Sequence, residues 1–261
     1  MSSIVLSERR GRVAVITLNR PEARNALSTE LLSELQRSFD EIENDNGVGA
    51  VVLTGNGPAF CAGADLKETS RNVTGGDFWT GYSRTNQSLH LHQMLPKYPK
   101  PVIAAVNGFA VAGGCGVAMS CDLVVAGTGA QFGYPEVKRG LVAAMVMVRL
   151  GRIVGQRQAL ELLLSGRLVS AEEALALGMI NRVVDDSDTL TVAIELGEEL
   201  ASRPASALRF TKELFRQVQE MNYDLALEHA RDVNQMIHRV GDAEKGVSAF
   251  LNSTKGSNNE Q

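Results

Sequence analysis

The sequence has no apolar run near the roughly 20 residues needed to cross a bilayer as a helix, so no transmembrane anchor is expected. Its three cysteines, Cys61, Cys115 and Cys121, form no CxxC pair and leave an odd count, which argues against a disulfide framework. Neither sign of charge dominates, with 26 Lys+Arg against 30 Asp+Glu and a net charge of -4. That balance, without a basic and aromatic stripe, gives no electrostatic footprint for nucleic acid or an anionic membrane. There is no GxxxxGK[ST], and Gly127-Thr128-Gly129 lacks the third glycine of a dinucleotide loop. A GxSxG nucleophile elbow is missing as well. His90 and His92, two residues apart, would point to different sides of a helix and make a poor metal pair. Both read as surface or interface residues, and no metal site is expected.

What is present is a chain of 261 residues, 44% hydrophobic and 21% charged, enough for one large globular domain or a domain with an appendage. The opening MSSIVLSERR places charges where a secretory signal needs its apolar core, so a cytoplasmic protein is expected. Val13–Leu18 (VAVITL) reads as a strand, with Ile4–Leu6 able to pair with it across a polar turn. Ser28 is a candidate N-cap for a helix with apolar Leu31, Leu32, Leu35, Phe39 and Ile42 at helical spacing. Short strands are expected at Ala50–Leu53, Val102–Val106 and Leu123–Ala126, with the helix before the second stopped by Pro96, Pro99 and Pro101. Strands alternating with helices define an α/β class with mostly parallel pairing. From about Leu141 onward the pattern is helical, without convincing strands. The expected division is a core over 1–200 and a helical region over 201–261, whose polar tail Ser253–Gln261 should fray.

Two glycine-rich segments follow strands: Gly57–Leu66, and Asn107–Gly116 leading into a helix through Cys121. Small residues let a ligand approach the backbone, and a helix N-terminus presents unpaired N–H groups with positive dipole character. Two such loops could converge on one developing oxyanion. Taken with Leu18-Asn19-Arg20-Pro21, Asn25-Ala26-Leu27, Ala59–Leu66, Pro101–Gly108, Gly113-Gly114-Cys115, Cys121-Asp122, Gln131–Glu136, Ala171–Ala174 and Leu177–Asn181, they resemble the crotonase superfamily, the enoyl-CoA hydratase/isomerase family, over nearly the whole chain. The resemblance implies a spiral of ββα repeats with a C-terminal helical trimerisation region, assembled as a homotrimer or a dimer of trimers. It implies an acyl-CoA thioester substrate, an enolate held by two backbone N–H groups, and no cofactor apart from the coenzyme A of the substrate.

Carried onto this chain, the resemblance makes Ala62 and Gly113 the oxyanion donors and Glu136, in Tyr134-Pro135-Glu136, the acid/base. Ala64, Asp65 and Leu66 fall where the family contacts the adenine, and Arg24 where it often places a cation near the CoA phosphates; a solvated arginine is the alternative. The first glutamate of a two-glutamate hydratase should stand at Gly116, and that carboxylate is missing. Glycine there is expected to open space beside the acyl chain. Hydration with a single glutamate is the leading reading. Double-bond isomerisation with Glu136 as proton shuttle is the alternative, and an acyl-CoA-binding protein with little turnover the third. Phe78, Trp79, Tyr82 and Leu91 could wall an acyl pocket, and Lys138 and Arg139 could meet a substrate carboxylate. Packing and solvation are the favoured readings of those six.

Overall fold

A computed structural model describes residues 3–73, 75, 77–239, 242–244 and 248; the tail expected to fray lies outside them. Among the described residues, ten strands run in chain order: β1 (Val5–Arg10), β2 (Val13–Leu18), β3 (Ala50–Gly55), β4 (Ala59–Cys61), β5 (Val102–Val106), β6 (Phe109–Val111), β7 (Leu123–Gly127), β8 (Gln131–Gly133), β9 (Leu168–Ser170) and β10 (Arg182–Val184). Among them stand α1 (Thr29–Glu43), α2 (Leu66–Val73), α3 (Phe78–Lys97), α4 (Gly113–Ser120), α5 (Ala144–Val154), α6 (Gln156–Ser165), α7 (Ala171–Ala176) and α8 (Thr189–Ala201), followed by α9 (Ala205–Val218) and α10 (Tyr223–Ile237).

The strands form two sheets, ordered β1-β2-β3-β5-β7-β10 and β4-β6-β8-β9. Pairing is parallel except for the β1–β2 hairpin and the β8–β9 pair. The topology explains the order. From β3 onward, each turn of the chain lays one strand in the large sheet and the next in the small sheet, then adds helix: β3-β4 with α2 and α3, β5-β6 with α4, β7-β8 with α5. This is the expected spiral of ββα units.

Alternation along the strands decides which helices cover which face. Val13, Val15, Ala50, Val52, Ile103, Ala105 and Val125 point to one face and bury Ala193 and Leu196 of α8 against it. Ala14, Ile16, Leu18, Val51, Leu53, Val102 and Ala104 point to the other, over α1 and α3. Ser28 caps α1 as expected, its hydroxyl accepting the Leu31 N–H at 3.2 Å, and Leu31, Leu32, Leu35, Phe39 and Ile42 form the buried stripe.

Three expectations are corrected. Strands do occur beyond Leu141, at β9 and β10; each is three residues long and pairs at a sheet edge, too short to carry a period-2 pattern. The segment after β3 is not purely loop, because Ala59–Cys61 pairs with β6. The helix before β5 runs through Pro96 to Lys97, since proline in a final turn leaves few ladder bonds to lose. In the last third, α9 is held to the body by Lys212, whose ammonium lies 2.6 Å from Asp122 Oδ2 and donates to the carbonyls of Leu95 and Lys100. Neither α9 nor α10 fully buries a side chain.

Candidate active site

The site is assembled from backbone, and one buried polar side chain ties its segments together. Asn25 is fully buried. Its Oδ1 accepts the Arg20 N–H at 2.8 Å, and its Nδ2 donates to the carbonyls of Asn56 and Ala59 at 3.0 and 2.7 Å. This ties the segment after β2 to the β3–β4 turn. The two segments then run side by side: Ala62 N–H donates to the Arg24 carbonyl (3.0 Å), Leu27 N–H to Gly63 (2.7 Å), and Asp65 N–H to Leu27 (3.2 Å).

These bonds decide which N–H groups are available. Ala62 N–H is engaged by Arg24, so its expected role as an oxyanion donor is not supported by the geometry. Gly63 has φ +85, a conformation that reverses the peptide direction at little cost only for glycine. Beyond it, Ala64 makes a parallel bridge to Leu27 through the groups of its two neighbours, so its own N–H faces the opposite way. That way lies Gly113: the Ala64 nitrogen is 3.7 Å from where a Cβ on Gly113 would stand. Ala64 is exposed, and its N–H has no hydrogen-bond partner among the described residues. The resemblance places the donor two residues earlier, at Ala62, and the motif alone does not show that the Ala62 N–H is taken up by the Arg24 carbonyl across the fold.

The second donor comes from α4. Gly113 opens this helix, so its N–H has no intrahelical acceptor and carries the positive end of the helix dipole. Ala112, just before it, holds φ 53 and ψ -128, a strained state for alanine, and is anchored by donating to the Gly133 carbonyl at 2.8 Å. The close docking of α4 on β4 depends on Gly114, where a Cβ would lie 2.6 Å from the Cys61 carbonyl carbon. Ala64 and Gly113 therefore present two adjoining, unpaired N–H groups.

The β6–β8 pairing sets Val111 against Gly133 and brings the one-turn helix Pro135–Arg139 alongside. Glu136 sits in that turn, half-buried, and its Oε2 is buried without a hydrogen-bond partner among the described residues. Burial raises its pKa from the ordinary glutamate value, offset in part by its own backbone N–H and by Arg139. Arg24, Lys138 and Arg139 share the wall of a cavity of about 450 Å³ with Ala62, Val111 and Pro135.

The remaining expected site residues have surroundings of their own. The Asp65 carboxylate caps α2 through the N–H groups of Lys67 and Glu68 and pairs with Arg20 at 3.2 Å. Its carbonyl accepts from Thr69 and its N–H is on Leu27, so Asp65 positions the loop and offers a ligand no free polar group. Leu66 is exposed. Gly116 opens no space: a Cβ there would overlap Val146 Cγ1 and stand 2.9 Å from His92 Cε1. Phe78, Trp79 and Tyr82 pack on one another at the exposed start of α3, whereas Leu91 is in the core. The cysteines are buried free thiols, with burial pushing Cys61 and Cys115 up to about 12, so neither is a ready nucleophile. Among the described residues, no cluster of His, Cys, Asp and Glu could hold a metal ion, and no helix is long and apolar enough to cross a membrane.

The family profile described as enoyl-CoA hydratase/isomerase matches residues 8–261. A Thermus thermophilus protein whose name assigns it to the enoyl-CoA hydratases is 46% identical over 242 residues, covering 93% of this chain and 95% of the relative. The 2,3-dehydroadipyl-CoA hydratase of Escherichia coli is 37% identical over 252 residues, covering 96% of each. The crystal structure of an enoyl-CoA hydratase from Mycobacterium smegmatis superposes with a TM-score of 0.91 at 34% identity over 97% of both chains.

Proposed function

The chain belongs to the enoyl-CoA hydratase/isomerase family, and from that premise we propose that it is a lyase adding water across the double bond of a 2-enoyl-CoA thioester. The observation that carries the mechanism is the pair of unpaired N–H groups at Ala64 and Gly113, together with the half-buried Glu136, whose Oε2 is buried without a hydrogen-bond partner among the described residues. The thioester oxygen would accept both N–H groups. Removing one such donor typically costs about 2.7–4 kcal/mol of transition-state stabilisation. Glu136 as carboxylate takes a proton from water as the water oxygen bonds to C3 and the C2–C3 π pair moves toward the thioester oxygen. The resulting acid returns that proton to C2 as the enolate collapses. Water is added, the site is regenerated, and no cofactor enters beyond the coenzyme A that the substrate carries.

Arg24, Lys138 and Arg139, three cations around one cavity, suit the phosphates of coenzyme A. Isomerisation is the second reading, favoured by one observation: Gly116 supplies no second carboxylate, and a single base can shift a proton between carbons. A panel of enoyl-CoA thioesters followed by mass separates the two. A gain of 18 supports hydration, no mass change with a moved double bond supports isomerisation, and no reaction leaves only binding. The exposed Phe215, Leu225, Leu227 and Met236 on α9 and α10 support assembly as a homotrimer or a dimer of trimers, testable by light scattering. Three free thiols suit the reducing cytoplasm.

A further inference from the structure

The ring of His92 on α3 rests against α4 at Gly116, one helical turn along from the oxyanion donor Gly113. A short hydrogen-bond chain sets its tautomer. Ser120 Oγ donates to the Gly116 carbonyl at 2.8 Å, so toward His92 Nδ1, 3.3 Å away, it can only accept. Nδ1 therefore carries the proton, and Nε2 keeps a bare lone pair. That lone pair is buried without a hydrogen-bond partner among the described residues. Burial pushes the imidazole pKa down to about 4, so the ring is neutral near pH 7. Leaving a buried acceptor unmatched is costly, so such an atom calls for a partner.

The location is specific. His92 borders a cavity of about 400 Å³ together with Gly116, Met145 and Val146. Its Cε1 is 2.9 Å from where a side chain at position 116 would begin. The imidazole, arriving from a different helix, stands against the first atom of any side chain at position 116.

We propose that His92 Nε2 is the second acceptor for the adding water, taking the place of the carboxylate that Gly116 lacks. This rests on the hydratase reading. The water donates one O–H to Nε2 and surrenders its other proton to Glu136 as its oxygen bonds to C3. His92 stays neutral throughout and holds the oxygen lone pair toward the acyl chain.

The test uses three variants of the purified full-length protein: His92→Phe and His92→Leu, which cannot accept a hydrogen bond, and His92→Gln, whose amide oxygen can. Two reactions are measured: hydration of crotonyl-CoA, and deuterium exchange from D2O into C2 of butyryl-CoA, which needs Glu136 and the oxyanion donors but no added water. Phe and Leu should lower the hydration kcat on the order of 10²-fold, in the range of a lost acid–base partner. KM should change little, exchange should stay within about twofold, and Gln should regain at least about tenfold of the loss. Hydration by Phe and Leu within about threefold of wild type overturns the assignment. So does a matched fall in hydration and exchange, which marks a packing role. A wild-type protein that hydrates no enoyl-CoA while moving the double bond overturns the hydratase reading itself, and this proposal with it.

Discussion

Gly113→Pro tests the oxyanion site by deleting one N–H. Gly113 is the first residue of α4, the helical position where proline is best tolerated, because its φ suits the helix and its N–H is unused by the ladder. Space is available, since a Cβ at Gly113 meets Leu27 Cδ1 at 3.4 Å and Gly63 Cα at 3.5 Å, both ordinary contacts. The difficulty lies one residue earlier. Ala112 at φ 53 and ψ -128 is outside the extended region preferred before proline, so the substitution also presses on the backbone. Gly113→Ala is the matched control, adding the Cβ while keeping the donor. The alanine variant should retain kcat within about threefold, and the proline variant should lose about 10²–10³-fold, equivalent to about 2.7–4 kcal/mol. Difference infrared spectra of the bound ¹³C-labelled thioester carbonyl give a readout independent of turnover. Its shift to lower frequency should persist in the alanine variant and shrink in the proline variant. A folded Gly113→Pro protein with unchanged kcat and an unchanged carbonyl shift would refute the assignment of this donor.

Glu136→Gln should lower C2 deuterium exchange by about 10²–10⁴-fold while leaving CoA-thioester binding in place, measured by mass and by calorimetry. The same variant should be more stable than wild type at neutral pH. Burial raises the folded-state pKa of Glu136, so its favourable contribution is present at low pH and is lost as pH rises through the folded pKa. Urea midpoints should therefore diverge in favour of glutamine above that pKa and converge below it. Gly116→Ala should destabilise by about 1–3 kcal/mol through overlap with Val146, and Val146→Ala in the same chain should recover part of that loss. Gly116→Glu alone should unfold more readily and gain no hydration, because Val146 and His92 occupy the space; faster hydration by a well-folded variant would contradict this. Ala112→Gly should stabilise by about 1 kcal/mol, read from denaturation at fixed protein concentration, as the positive φ ceases to oppose a Cβ.

The parts of this molecule that could be read from the sequence are those whose information is local. Val13–Leu18 and Val102–Val106 are strands with the expected bounds because runs of four and five consecutive apolar residues, rich in valine and isoleucine, leave few alternatives. Ser28 and the apolar spacing after it define α1 without help from the rest of the chain. The small sheet was mostly invisible because β4, β6, β8 and β9 have three residues each and exist through pairing with segments distant in sequence. The site divides in the same way. Glu136 and Gly113 sit in motifs, but the choice between Ala62 and Ala64 turns on whose N–H meets the Arg24 carbonyl, a contact across the fold. His92 reads as surface from its spacing to His90; it is half-buried, with its Nε2 enclosed, because Gly116 lets the ring approach α4, which pairwise spacing along one helix cannot reveal.

That last pairing bears on the electrostatics of the reaction. Gly114 through Ser120 are all buried, and none of them carries a charge. A carboxylate at position 116 would stand about one turn from Gly113, where negative charge gathers on the thioester oxygen. At an effective dielectric near 20, two like charges about 5 Å apart oppose one another by about 3 kcal/mol. This is comparable to what one N–H donor supplies, so the second charge would offset much of what Gly113 contributes unless other groups compensated it. A neutral imidazole can accept from water at the same place without adding that repulsion. Its lone pair is a weaker acceptor than an ionised oxygen, so water is held less firmly while the enolate is opposed less. In such a site the proton-transfer work falls on Glu136, whose pKa is raised by burial.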